Sequence, residues 1–285
     1  MSRSMVACAV DALESSVVRL KTSGGDGFIL SGCRTVPAGF RELTSPKGQR
    51  TLKRLAAHAA KWAGEPLALT VAYDTYHPLP ALFPAGATAE ECAGCSRLEA
   101  SYFLSEPDRY RCDILPFTTE AEEGAHERKL LVFWPEAARG SIARAFEERH
   151  GLSLESTPVK TAVGMSKLSA EPTVLLELES GHLLLLVASG GAVEHFSHRQ
   201  VRNRDESRYF ALRELSEAGL PAGTPVQLRG ELADRAMREL IKHESGFEPT
   251  AQALPPTISV SGMSKSVASS PSALVAIMTA IQALG

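Results

Sequence analysis

The sequence predicts an α/β protein of two related halves with a small α+β domain set into the first. Three observations predict it. Short apolar runs of strand length alternate with segments of helical period. One order of strands, turns and helix occurs twice. A stretch of different texture, from about Pro78 to Ser156, separates the two copies. A chain of 285 residues is long enough to bury the core such a layout needs.

Met5 to Val10 is a short apolar run suited to a buried strand. Ser16 to Lys21 and Phe28 to Val36 follow as two strands joined by Ser23-Gly24-Gly25-Asp26-Gly27, a hairpin turn on chemical grounds. Ser45-Pro46 is expected to open a helix, Ser as N-cap and Pro at the first helical position. Its apolar stripe is Leu52, Leu55, Ala56, Ala59 and Trp62, with Lys47, Arg50, Lys53, Arg54 and Lys61 interspersed and Gly64 as its stop. Leu67 to Tyr73 reads as the next buried strand.

In the middle stretch, Thr88 and Glu91 have the spacing of a capping box. The helix it opens carries Cys92, Cys95, Leu98 and Tyr102 along one side. Arg111 to Phe117 and Lys129 to Trp134 are expected strands. Glu136 to His150 is an expected helix, with Ala138, Ile142, Ala145, Phe146 and Arg149 on one face and Gly151 as its stop. Val159 to Leu168 then reads as a helix leading into a strand, Thr173 to Leu178. Near the end, Ser259 to Ser272, with Gly262 and Lys265, reads as a loop. Ala273 to Leu284 is apolar nearly all round and is expected in the core of the second half.

The repeat emerges when the halves are overlaid. Ser23-Gly24-Gly25 recurs 166 positions on as Ser189-Gly190-Gly191. At that offset Val17 to Leu20 faces Leu183 to Leu186, and Val10-Asp11-Ala12-Leu13 faces Leu176-Glu177-Leu178-Glu179. Each copy then continues into a helix (Thr51 onward, Glu206 onward) and a strand (Leu67 onward, Val226 onward). The expected boundaries are 1–76 for the first half, 77–156 for the insert and 157–285 for the second half.

Composition narrows the function. Lys+Arg 30 against Asp+Glu 33 gives a net charge of −3, which offers no bulk attraction for nucleic acid or an anionic membrane. No run approaches the roughly 20 apolar residues of a spanning helix. Five cysteines, an odd number, point to a reducing compartment, and a soluble cytoplasmic protein is expected. The sequence contains no Walker A loop, Rossmann glycine fingerprint, His-Glu-x-x-His or nucleophile elbow.

Two β-β-β-α-β halves, an acidic residue at the first hairpin and an α+β insert together resemble the actin-like ATPase superfamily, a duplicated ribonuclease-H-like fold of two lobes. The resemblance is strongest to its PilM-type and GspL-type branch. It is carried by Ala7 to Pro37, by Glu99-Ala100-Ser101-Tyr102 leading to Asp113-Ile114-Leu115-Pro116, by Leu130 to Trp134, and by Gly151-Leu152 with Glu155 to Lys160. A family of bacterial domains with the same layout is the other placement. The resemblance implies a nucleotide site of two glycine-rich hairpins, whose amides close on phosphates while aspartates organise Mg²⁺, and a late Gly-Gly segment for adenosine. Here the first turn is Asp11-Ala12-Leu13-Glu14-Ser15-Ser16, with Leu13 at the glycine position. The second is Glu177-Leu178-Glu179-Ser180-Gly181-His182, with glutamates for aspartate and glycine. The late segment is Leu228-Arg229-Gly230-Glu231, with one glycine.

Each extra carboxylate about 4 Å from a phosphate costs about 1 kcal/mol in bulk water and about 4 kcal/mol at an effective dielectric near 20. The expectation is therefore a vestigial site at Asp11, Ser15, Glu177 and Gly230, no catalysis and no cofactor. The resemblance implies a cytoplasmic scaffold or adaptor that binds a protein partner, the cytoplasmic tail of an inner-membrane component in a pilus or secretion-type assembly. The docking groove is placed on the insert near Leu98, Tyr102, Ile142 and Phe146. The alternative is an ATP-binding or sugar-kinase-like protein using Mg-ATP at the same four residues, and a third reading is a homodimeric structural protein. Cys92-Ala93-Gly94-Cys95, with Cys112 and His126, has metal-like spacing, but buried core cysteines are the expectation. His195 and His198 are three apart on a strand, which points them to opposite faces; surface or edge histidines are expected there.

Overall fold

The computed structural model describes residues 3–24, 27–73, 76–118, 126–250, 254, 257–261 and 270–285. Gly25, Asp26, Gly262, Lys265 and the side chain of Ala138, all named above, lie outside the described set.

The first half is built as its apolar runs predict. β1 (Ser4–Val10), β2 (Ser15–Thr22) and β3 (Phe28–Val36) form an antiparallel meander, and β4 (Leu67–Val71) pairs parallel with β1. Between β3 and β4 lie a short helix, α1 (Phe40–Thr44), and α2 (Gln49–Ala59). α2 begins three residues later than Ser45-Pro46 predicts. Ser45 instead closes α1, its hydroxyl donating to the Glu42 carbonyl at 2.6 Å, and Gly48 becomes the N-cap. A Cβ on Gly48 would sit 1.8 Å from the Glu42 carbonyl oxygen, so this chain reversal requires glycine.

The insert comprises β5 (His77–Pro84), α3 (Ala89–Phe103), β6 (Tyr110–Pro116) and β7 (His126–Pro135), in the sheet order β5-β7-β6. The capping box at Thr88 and Glu91 forms as expected. β7 alternates cleanly. Leu131 and Phe133 pack with Phe83 and Cys92 in the insert's own core, while Leu130, Val132 and Trp134 turn to the main body. α4 (Glu136–Glu147) follows, then β8 (Leu152–Ser156), which pairs parallel with β4. The first sheet thus reclaims the chain before the expected boundary at 156.

α5 (Pro158–Met165) leads to the second meander, β9 (Thr173–Leu178), β10 (His182–Ser189) and β11 (Ala192–Gln200). After it come α6 (Arg204–Glu217), β12 (Pro225–Arg229), α7 (Arg235–Ser245) and β13 (Glu248–Thr250), giving the order β11-β10-β9-β12-β13. Finally β14 (Ile258–Val260) pairs with β3, and α8 (Pro271–Leu284) packs on the first sheet. The last helix therefore belongs to the first lobe and not, as expected, to the second. The reason is complementary apolar surface: Met5, Ala7, Ala9, Val18, Leu20 and Ala68 present one face that Ala273, Ala276, Ile277, Ala280 and Ile281 cover.

The duplication is real, but its register differs from the one read at the glycine turns. Val10 pairs with Ser15 and Leu178 with Leu183, an offset of 168. The Asp11 N–H donates to the Glu14 carbonyl and the Glu179 N–H to the His182 carbonyl, each at 2.9 Å. The counterpart of Asp11 is therefore Glu179, and Glu177 lies on the strand. The slip arises because the glycine turns differ in length. Ser23 closes on Gly27, whereas Gly190 and Gly191, at φ +57° and +88°, make a two-residue turn.

Candidate functional site

The two lobes meet through charged side chains drawn from both meanders. Asp11 follows β1, and its turn is locked from behind: the Phe40 N–H donates to the Asp11 carbonyl at 2.8 Å. Glu177 on β9 and Arg229 on β12 are direct partners in the parallel register. One Arg229 nitrogen, Nη2, lies 3.1 Å from Asp11 Oδ1 and 2.8 Å from Glu177 Oε2, tying one lobe to the other. Glu177 Oε1 is 2.9 Å from His182 Nε2. The His182 ring lies 5.4 Å from that of His198, and the Tyr76 ring packs edge-on against both. Arg229 is 5% exposed, Glu177 3% and Asp11 9%, so this is a buried network.

Its electrostatics follow from that burial. Burial alone would lift Glu177, but Arg229 and His182 outweigh it and hold the carboxyl near 2. Asp11 is raised above its ordinary value, burial outweighing the pull of Arg229. Glu179 is pushed up to about 8 by burial and by the neighbouring Glu177 and Asp11 carboxylates, so it carries a proton at neutral pH. His198 is lowered to about 4, by burial and then by the charge of His182.

Of the four residues expected at a nucleotide site, the structure brings Asp11 and Glu177 together, through an arginine that the motif comparison passed over. Ser15 is turned away, fully buried, its hydroxyl donating to the Ala38 carbonyl at 2.7 Å. Gly230 serves the backbone: at φ +99°, a Cβ there would lie 2.3 Å from the Leu178 carbonyl oxygen. Glu14 accepts from the Ser272 N–H and hydroxyl, both at 2.9 Å, at the start of α8. Leu13, at the glycine position, is 56% exposed at the hairpin tip.

Several of these groups already have partners within the chain. Asp11, the carboxylate of the first turn, is paired with Arg229, and Glu14 and Ser15 are engaged elsewhere. A sequence signal for Arg229 existed. A lone Glu in the apolar run Thr173–Leu178, and a lone Arg ending Pro225–Arg229, both need a buried partner.

The four residues placed on a docking groove separate. Ile142 and Phe146 are buried in the central core and cannot line a surface. Leu98 and Tyr102 are 56% and 82% exposed on α3, whose buried face is Cys92, Ser96 and Ala100. Cys92 is buried in the insert's core and Cys95 is half-buried; among the described residues no group of three or more His, Cys, Asp or Glu is placed to hold a metal. His195 and His198 do take opposite faces: His195 feels Glu214 and Glu217 of α6, and His198 stacks on His182. His198 is half-buried beside this network, and both histidines lie on β11, an edge strand of its sheet, as expected.

The paired meanders, the insert and the buried charged network between the lobes define the actin-like ATPase fold. Solved structures place the chain more closely. It matches a chain of the PilM-PilN type IV pilus biogenesis complex with a TM-score of 0.73 over 99% of this chain and 98% of that one, at 15% identity. A Bacteroides thetaiotaomicron protein with actin-like ATPase fold and unknown function matches with a TM-score of 0.53, covering 87% of this chain and 91% of that one at 8% identity. The cytoplasmic domain of EpsL, an inner membrane component of the type II secretion system of Vibrio cholerae, gives 0.49, 99%, 94% and 9% in the same terms. At such identities the likeness is one of fold. No protein-family model matches the chain, and no curated protein matches it in sequence.

Proposed function

We propose that this protein is a non-catalytic cytoplasmic adaptor that binds a protein partner in a pilus- or secretion-type assembly at the inner membrane, and that it needs no nucleotide. The observation that supports the reading is the buried Asp11–Arg229–Glu177 bridge, in which a guanidinium takes up the carboxylate that the resemblance would assign to Mg²⁺ at the first turn. The near full-length likeness to a chain of the PilM-PilN complex supports the assembly role. The exposed α3 face, Leu98 and Tyr102 with Phe103, is the docking surface this reading assigns to the tail of an inner-membrane component.

Thermal unfolding with and without millimolar Mg-ATP tests the first half of the proposal. A ligand at about 100 times its Kd adds about 2.7 kcal/mol, which is easily seen. No shift is expected. A saturable stabilisation lost in Asp11→Ala would instead restore the reading as an ATP-binding protein with an atypical site. For the second half, Leu98→Asp with Tyr102→Asp should release inner-membrane assembly proteins that co-purify with the native chain. Retention of those proteins would remove α3 as the docking face.

A further inference from the structure

α2 and the end of β3 enclose a second feature, a cleft of about 670 Å³, within the size range of about 300–1,000 Å³ that ligand sites occupy. Thr51, Arg54 and His58 recur along one side of α2 at helical spacing, Lys61 follows in the 3-10 turn Ala60–Trp62, and Arg34 and Val36 face them from β3. Val36, Pro37 and Ala57 line it with apolar surface.

The charge is one-sided. Arg34, Arg54 and Lys61 stand against a single carboxylate, Glu42, in a chain whose net charge is −3. None of the three cations makes an ion pair among the described residues. On α6, by contrast, Arg204, Arg208 and Arg213 all do, with Asp234, Asp205 and Glu217. The cations of the cleft are therefore uncompensated where those of another exposed helix are matched. The imidazole of His58 registers the same field: its pKa is lowered, first by burial and then by Lys61 and Arg34.

We infer that this cleft is a binding site for an acidic peptide segment of a partner protein, its carboxylates meeting Arg34, Arg54 and Lys61 and its apolar side chains resting on Val36, Pro37 and Ala57. The concave shape and apolar lining favour a peptide over a lipid surface, which would engage Lys47, just before α2, and Arg50 and Lys53 on it at least as well. The lining lacks Phe, Tyr and Trp, which single-stranded nucleic acid would need for stacking. The site is separate from α3 and from the bridge between lobes, so it stands or falls independently of the adaptor reading.

The test is an anisotropy titration of the full chain with a short fluorescein-labelled peptide alternating Glu and Leu, at about 0.1 M salt so that long-range charge is screened. Saturable binding is expected, weakened about tenfold or more by Arg54→Glu with Lys61→Glu, because like charges then face each other. Ala57→Trp, an exposed position, should block the cleft without changing its charge. Lys47→Glu with Lys53→Glu makes the same charge change outside the cleft and should leave binding intact. The inference is overturned by absence of saturable binding, by equal weakening in the Lys47/Lys53 variant, or by equal affinity for a Lys-Leu peptide. It is also overturned if the cleft variants lose only co-sedimentation with phosphatidylglycerol vesicles. Circular dichroism of each variant separates lost binding from lost fold.

Discussion

Arg229 holds two carboxylates, one from each lobe, at 5% exposure, and its removal would leave both without their counter-charge. Arg229→Ala should therefore cost about 3–5 kcal/mol in urea unfolding; a loss below 1 kcal/mol, roughly the worth of an exposed pair, would mean the bridge is not buried in solution. Glu179 makes a prediction of opposite sense to most carboxylates. Its native pKa near 8 lies above the ordinary 4.5, so the folded state keeps a proton that the unfolded chain has lost. Stability from this group is full below pH 4.5 and declines as pH rises towards 8, by at most about 1.4 kcal/mol per pH unit. Glu179→Gln should gain on the native chain steadily from about pH 5 to 8, in unfolding free energies measured across that range; a constant difference would refute the raised pKa. Glu177, held near 2, works the other way: its contribution is present above 4.5 and is lost as pH falls towards 2. Asp11 was legible in the sequence as an acid at a hairpin. Arg229 carried the mark of a charge in an apolar strand, but its partner Asp11 was not legible, because that contact spans 218 positions.

Among the elements, α8 shows how local rules and distant contacts combine. Ser270 caps it through the Ala273 N–H at 3.3 Å and Pro271 opens it, two residues that fall within the segment Ser259 to Ser272 expected as a loop. Glu14 adds a carboxylate at the same N-terminus, and Ser16, Thr35, Ser270 and Ser272 link their hydroxyls around it. Glu14→Ala should cost about 1 kcal/mol, the worth of a helix cap with its dipole interaction, read in urea unfolding. An unchanged midpoint would show that Glu14 is free to act elsewhere. α7 went unread although its signals were present: Asp234 caps it through the Met237 N–H, Met237 and Ile241 form its buried stripe, and Gly246 ends it at φ +74°. The start of α2 was misplaced for a different reason. Ser45-Pro46 is a sound N-terminal signal, but α1 ends there and Gly48 must pass against it.

Across the whole molecule, one apolar cluster joins α2 and β4 of the first lobe, Leu115, Leu130 and Val132 of the insert, and Leu184 and Leu186 of the second lobe. A separate cluster buries α8 on the first sheet. Truncation before Pro271 should therefore leave Met5, Ala7, Val18 and Leu20 uncovered, and the product should bind the dye ANS strongly, as loosened cores do. A truncated chain that unfolds cooperatively without binding the dye would show that α8 is dispensable. The sequence by itself determined the fold class, the duplication and most strands, because strand length, helical period, turn glycines and caps are written within a few residues of one another. Only the tertiary structure decided the register of the repeat, the membership of α8, the separation of Ile142 and Phe146 from Leu98 and Tyr102, and the arginine between Asp11 and Glu177. Those outcomes rest on burial and pairing between segments far apart in the chain, where the partner of a charge or an apolar face is set by packing and carries no local mark.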